Sequence, residues 1–298
     1  MNVSKIAIIG SATIDTVVKG EESVRQLGGV VTYAGFTFRR HGIETFIVSN
    51  IAERDQSILD VLKEEGIRVF AGDTPRTTHF INHIEGFHRW QEMPVHADPI
   101  TSKQVKDILD LVGHLHIGAL HPGDIEEEAL TLINEKKLIV SMDVQGFVRY
   151  KEGDRIISRV SDNLAQALSC ARYVKADDTE LETILNACNM DLPELMQTFR
   201  IDEMVITKGN RGGFVRSLTG GEASYSAKPV DLIRNTVGAG DVFFASYLIH
   251  RLYRGEDMAV SCEKASQLAA RQIEGRYIRS ETLKLVEKQR HGNNGGIS

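Results

Sequence analysis

Short β-rich runs alternate with stretches of helical periodicity along most of this chain, and that rhythm restricts its fold more than any other feature. Ile6–Ile9, Thr45–Val48, His114–Ile117, Leu138–Met142, Tyr173–Val174 and Met204–Thr207 read as strands. Between them, Thr32–Arg40, Asp55–Glu65, Thr101–Val112, Ile125–Glu135, Asp162–Ser169, Thr179–Ala187 and Leu192–Phe199 carry apolar residues at helical spacing. Such alternation predicts an α/β fold: a mostly parallel sheet in a three-layer, Rossmann-like arrangement, with helices on both faces. One region breaks the rhythm. Arg76–Ile84 and Phe87–Val95, split by Glu85-Gly86, read as a hairpin, and Thr13–Val18 can join it. These segments predict a small β-sheet lid contributed by about residues 11–33 and 75–98 of a single domain spanning 1–288. The glycine- and asparagine-rich residues 289–298 are expected to form a disordered tail.

The richest local signal is Arg234-Asn-Thr-Val-Gly-Ala-Gly-Asp241, followed by the helically spaced Val242, Phe243, Ala245, Leu248 and Ile249. Gly238, Ala239 and Gly240 would open a helix, whose first N–H groups and partial positive charge suit an anion. A carboxylate at that point, Asp241, is placed to take the proton of a hydroxyl attacking a phosphate. The same pattern also describes a structural glycine turn with a dipole-favoured aspartate, so the motif gains meaning from its context.

Composition narrows that context. A chain of 298 residues with 42% hydrophobic content can bury a large core. The net charge of -6, from 41 acidic against 35 basic residues, offers no footprint for nucleic acid. No apolar run approaches the ~18 residues of a membrane span, and the N-terminal run is too short for a signal peptide, so a cytoplasmic enzyme without membrane contact is expected. Cys170, Cys188 and Cys262 lack metal spacing and read as reduced thiols. His114, His116 and His121, and the group His79, His83, His88 and His96, read as packing residues, since nothing beside them completes a metal set. Trp90, Phe80 and Phe87 would line the inner face of the lid or a subunit contact.

Asn235-Thr-Val-Gly-Ala-Gly-Asp241 resembles the C-terminal signature of the ribokinase-like sugar kinases of the phosphofructokinase-B type. Other segments fall in that family's order. Ile8-Ile9-Gly10-Ser-Ala-Thr-Ile-Asp15 is similar to its first strand and substrate aspartate, and Leu27-Gly28-Gly29 to its double glycine. Arg40-His-Gly-Ile43 resembles its step from a helix into a strand, Lys175-Ala-Asp-Asp-Thr-Glu180 its Asn-x-x-Glu element, and Val205-Ile-Thr207-Lys208-Gly209 with Gly212-Gly213 its nucleotide-side strand and turn. The resemblance spans residues 6 to about 275. It implies a ribokinase-like fold with a β-sheet lid and transfer of the ATP γ-phosphate to a hydroxyl of a small polyol. Asp241 would be the base, and Gly238, Ala239 and Gly240 the anion hole. Lys175, Thr207, Lys208, Gly209 and Thr236 would lie on the ATP side, and Asp15, Gly28 and Gly29 on the acceptor side.

The chain also departs from the family pattern. Tyr33 stands where many members have an asparagine, which weakens simple ribose or fructose recognition; the aromatic ring can stack on a substrate or pack inside. Asp177 stands where asparagine is common, while Glu180 keeps its place; at i and i+3 both face one side of a helix start. They suit either Mg2+-bound water around the phosphates or the helix dipole alone. Asn235 replaces an aspartate associated with a monovalent cation, so K+ activation stays open. Gln145 and Arg149, beyond the strand Leu138–Met142, offer a polar wall for an acceptor, with a surface cation the other reading of Arg149; the string tilts the expectation toward a nucleoside or inositol. Lid strands with open edges could pair two copies into a homodimer. A nicotinamide dehydrogenase is disfavoured, because Gly10-Ser-Ala-Thr-Ile-Asp15 lacks Gly-x-Gly-x-x-Gly. A non-catalytic nucleotide- or sugar-binding member of the same fold is the alternative.

Overall fold

The computed structural model describes residues 4–85 and 88–285. The expected tail at 289–298, and the Gly86-Phe87 tip of the hairpin, lie outside the described residues. A nine-stranded sheet forms the centre, in the order Glu222–Tyr225, Gly213–Ser217, Glu203–Thr207, Tyr173–Asp177, Ile139–Asp143, His114–Ile117, Lys5–Ile9, Glu44–Ile51, Arg68–Asp73. Its pairings are parallel except the two that attach Gly213–Ser217 and Glu222–Tyr225.

Strand alternation divides the core. Ile6 and Ile8 enter the apolar cluster on one face with Ile47, Phe36 and Phe244; Ala7 and Ile9 enter the cluster on the other with Phe46, Val48 and Ile108. Burying both faces explains the near-continuous apolar strands, each fully covered isoleucine contributing roughly 1.5–3 kcal/mol. The helix Ala239–Leu248 is buried from Val242 to Leu248, as an all-round apolar helix must be. Tyr247 donates to Glu203 Oε2 at 2.5 Å and Arg251 Nε to Glu203 Oε1 at 2.7 Å, fixing this helix to the strand Glu203–Thr207. Its N-terminus is thereby held at the C-terminal edge of the sheet.

A second, six-stranded sheet has the order Arg149–Glu152, Arg155–Ser158, His88–Val95, His79–Glu85, Thr13–Lys19, Glu22–Gly28. Thr13–Lys19 runs parallel to His79–Glu85 and antiparallel to Glu22–Gly28. The strands at Glu22–Gly28 and Arg149–Ser158 were not anticipated, because their exposed, charged residues carry little apolar signal. At the Glu22–Gly28 edge, Arg25 O accepts from Leu285 N at 3.0 Å and Gln26 bridges to Lys284, so the chain itself covers part of this edge of the lid sheet. The chain crosses between the two sheets at Ser11 and Thr78, whose hydroxyls meet at 3.0 Å, while Asp124 accepts from Ser11 Oγ at 2.5 Å. Among the described residues no helix is long and apolar enough to cross a membrane.

Candidate active site

The main sheet changes direction of winding at Lys5–Ile9, which has Glu44–Ile51 on one side and His114–Ile117 on the other. In open α/β sheets the crevice beyond the strand ends at such a point is where ligands sit. Here a cavity of about 220 Å³ opens between the two sheets, lined by Asp15, Gly29, Tyr33, Gln145, Arg149, Thr236, Gly238 and Asp241 among others. Eight of the residues singled out from the sequence therefore meet at one place. Phe80 lines it too, from the lid side as expected, and so do Thr13, Asn82, Gln91 and Leu120, whose contribution sequence reading missed; Asn82 and Gln91 are cross-strand partners, with Gln91 Nε2 donating to Asn82 Oδ1 at 2.8 Å. A larger hollow of about 460 Å³ at Ala52–Arg54 and Asp73–Pro75 gathers none of these groups.

Gly238, in the left-handed region at φ 73°, precedes the helix Ala239–Leu248 and turns the chain into it. A Cβ at 238 would come within 2.2 Å of Tyr33 Cγ and Cδ1, so glycine is required on steric grounds as well. Val242 N donates to Gly238 O at 2.9 Å and Ala239 N makes a long contact of 3.4 Å to Thr236 O. Beside the expected Gly238–Gly240 trio, the first turn of the helix also offers the amide of Asp241. Tyr33 packs inside, as one of its two readings held: its ring is 1% exposed, and its hydroxyl accepts from Gln26 Nε2 at 3.3 Å. Burial, with Asp15 and Asp241 nearby, holds its proton on well above the ordinary tyrosine range.

Asp15 accepts from Thr13 Oγ1 at 2.6 Å. Burial pushes its carboxyl up to about 6, against the opposing pull of that hydrogen bond and of Arg149. Gly28 serves Asp15 and does not line the cavity: a Cβ there would overlap the Asp15 carboxylate. Gly29, at φ 89°, caps the helix Val30–Arg40 and would collide with Ser11 O if it carried a side chain. Asp241 is likewise raised to about 6, by burial and by the charge of Asp143, with Lys175 and Arg149 opposing.

Lys175 lies one layer deeper. Its Nζ donates to Asp143 Oδ2 at 2.6 Å in a buried ion pair, and its Cε stands 3.4 Å from the position of a Gly240 Cβ. Burial works against its charge; Asp143, Glu180 and Asp241 outweigh that and hold the ammonium's proton more tightly than usual. The Asp143–Lys175 pair was not foreseen, since the two residues are far apart in sequence and their meeting depends on the pairing of Ile139–Asp143 with Tyr173–Asp177.

Asp177 and Glu180 form a reciprocal capping box at the helix Asp178–Cys188: Glu180 N donates to Asp177 Oδ1 at 2.7 Å and Asp177 N to Glu180 Oε2 at 2.8 Å. Burial raises Glu180 to about 7, with Lys175 opposing. Each carboxylate keeps one oxygen outside the box. Among the described residues no group of three or more His, Cys, Asp or Glu side chains is placed to hold a metal directly. Thr207 lies opposite Asp177 on the adjacent strand, at the same sheet edge. Lys208 Nζ sits 5.0 Å from the Phe214 ring centroid, on its own hairpin, and Gly209 at φ 58° turns that hairpin. Asn235 Oδ1 accepts from Val237 N at 2.9 Å, so the amide oxygen stiffens the turn before Gly238. His114 Nε2 and His116 Nδ1 both meet Ser141 Oγ at 2.8 Å, and burial lowers them to about 3 and about 4, leaving both neutral.

The profile of the pfkB family of carbohydrate kinases matches residues 3–283. The chain belongs to the pfkB family of carbohydrate kinases. No curated protein matches it in sequence. Solved structures of pfkB-type kinases share its fold. A pyrophosphate-dependent kinase of the ribokinase family, complexed with a pyrophosphate analog and myo-inositol, superposes with a TM-score of 0.78 at 24% identity, over 90% of this chain and 94% of that one. The Burkholderia thailandensis nucleoside kinase in complex with inosine gives 0.74 at 15% identity, over 92% and 93%. Thermotoga maritima ribokinase gives 0.70 at 14%, over 94% and 95%. The ribokinase-like α/β fold read from the sequence is that of this pfkB kinase.

Proposed function

We propose that this pfkB-family chain transfers the terminal phosphate of Mg2+-ATP to a hydroxyl of a small polyol such as a sugar, nucleoside or inositol, with Asp241 as the base. One observation carries the proposal: Asp241 stands in the same cavity as Asp15, Gln145 and Arg149, at the helix start where the Gly240 and Asp241 amides await an anion. The acceptor hydroxyl donates to Asp241, and its oxygen attacks the terminal phosphorus in line. The bridging P–O bond breaks, ADP leaves with that electron pair, and the proton passes to the Asp241 carboxylate. Charge developing on the phosphoryl oxygens falls on the preorganised helix-start amides, with the Lys175 ammonium one layer behind them. Mg2+ would supply charge neutralisation to the donor phosphates, and Asp177 and Glu180 are the residues that would orient its waters. Asp15 and Arg149 hold the remaining acceptor hydroxyls. The six-stranded sheet lies across the cavity as its lid.

The test is phosphoryl transfer by purified protein to a panel of sugars, nucleosides and inositols, with ATP and with inorganic pyrophosphate as donors, with and without K+. Turnover on one acceptor class supports the proposal and names the donor. Donor and acceptor binding without turnover would instead fit a non-catalytic member of the fold.

A further inference from the structure

A buried cluster of polar side chains stands where the chain passes between the two sheets. Ser11 links Lys5–Ile9 to Thr13–Lys19, Thr78 precedes His79–Glu85, Ala97 follows His88–Val95, and Leu120 and Asp124 follow His114–Ile117. Ser11, Thr78 and Asp124 are all buried.

Asp124 draws these segments together. Its Oδ1 accepts from Ser11 Oγ at 2.5 Å, and its Oδ2 accepts from the amides of Ser11 at 3.2 Å and Leu120 at 2.9 Å. A carboxylate only accepts, so the Ser11 hydroxyl hydrogen is committed to it. The 3.0 Å contact between the Ser11 and Thr78 hydroxyls is then donated by Thr78, whose oxygen in turn accepts from Ala97 N at 3.0 Å. One buried carboxylate thus sets the direction of a hydrogen-bond chain running from Ala97 through Thr78 and Ser11. Breaking any link leaves a buried polar group unpaired, which is costly.

The chain bears on one wall of the cavity. Thr13 and Asp15, just past Ser11, line the cavity, and so does Leu120. Ile14 N, between the first two, donates to Thr78 O at 2.9 Å. Ser11 O is the atom that a side chain at Gly29 would strike, so the start of Val30–Arg40 rests on the same segment. The helix Ala239–Leu248, which carries Asp241, is tied instead to Glu203.

We propose that Asp124 is a positioning residue of the acceptor site: through Ser11 and Leu120 it sets where Asp15 and the lid strand Thr13–Lys19 stand against Asp241. This rests on the kinase reading above and adds to it a residue that acts through the wall of the cavity.

The experiment measures kcat, donor KM and acceptor KM for wild type, Asp124→Ala, Thr78→Val and Thr78→Ser, using whichever of ribose, inosine and myo-inositol the wild type turns over fastest. A misplacement of about 1 Å can cost about 10²-fold, so Asp124→Ala should raise the acceptor KM about tenfold or more. Donor KM should stay within about twofold of wild type, because the helix start is held separately. Thr78→Val, which keeps the shape of the side chain and removes its hydroxyl, should move acceptor KM in the same direction, and Thr78→Ser, which keeps the hydroxyl, should restore it. The Thr78 pair decides the matter if Asp124→Ala does not fold. A fall in kcat with both KM values unchanged, an equal rise in donor and acceptor KM, or a Thr78→Ser variant as impaired as Thr78→Val overturns the inference and leaves the kinase reading in place. Absence of wild-type turnover on every acceptor, with ATP and with pyrophosphate, overturns the two together.

Discussion

The ring of Tyr33 lies against the backbone of Gly238, so closely that a methyl group on residue 238 would stand 2.2 Å from two of its ring carbons. Through that contact the helix Val30–Arg40 sets the position of the turn that starts the helix Ala239–Leu248. The two walls of the cavity are thus built against each other.

Gly238→Ala must therefore both leave the left-handed region and displace Tyr33. Loss of properly aimed donors for a developing oxyanion costs about 10²–10³-fold, and a kcat reduction of that order is expected. Steady-state kinetics checks it, with circular dichroism to show that the fold survives. Wild-type kcat would mean that the turn does not aim the amides.

Asp15 contributes to stability with an unusual sign. Its folded pKa, about 6, lies above the ordinary carboxylate value, so the folded state holds its proton more tightly than the unfolded chain. The resulting stabilisation is complete below pH ~4 and lost as pH rises through about 6. Asp15→Asn should consequently be more stable than wild type at pH 8, on the order of 2 kcal/mol, with the difference gone by pH 4. Urea unfolding at the two pH values measures this, and the same variant should raise the acceptor KM.

Lys175→Met removes the one cation paired with Asp143 at 2.6 Å and leaves a buried carboxylate uncompensated. A loss of about 3–5 kcal/mol is expected, partly restored by adding Asp143→Asn. A double-mutant cycle by denaturant unfolding reads the coupling; a single-variant loss within about 1 kcal/mol of zero would contradict it.

Asp177→Asn separates capping from metal chemistry, because asparagine caps a helix as well as aspartate does but carries no charge. Stability should stay within about 0.5 kcal/mol of wild type. If Asp177 orients Mg2+-bound water, the Mg2+ concentration for half-maximal turnover should rise about 10-fold or more. An unchanged Mg2+ requirement would leave Asp177 with the cap alone.

Much of this was legible beforehand, for physical reasons that differ from element to element. Strands such as Ile6–Ile9 are buried on both faces, so their composition announces them. Asp241 is readable because the glycines before it are dictated by local backbone geometry. The strands Glu22–Gly28 and Arg149–Glu152 are exposed and mixed in charge, and form only because neighbouring strands pair with them. Asp177 and Glu180 were seen at the right spacing, but the same i, i+3 placement serves a cap and a metal alike. Asn82, Gln91 and the Asp143–Lys175 pair carry no local signature; tertiary pairing alone brings them to the site.

The most direct measurement is turnover and ligand binding by Asp241→Asn, alongside the pH profile of the wild type. With its carboxyl at about 6, the wild-type kcat/KM should fall about tenfold per pH unit on the acid side of that value. The variant should bind donor and acceptor with near-wild-type affinity while kcat drops by roughly 10²–10⁴-fold. Turnover within tenfold of wild type would contradict the assignment of Asp241 as the base.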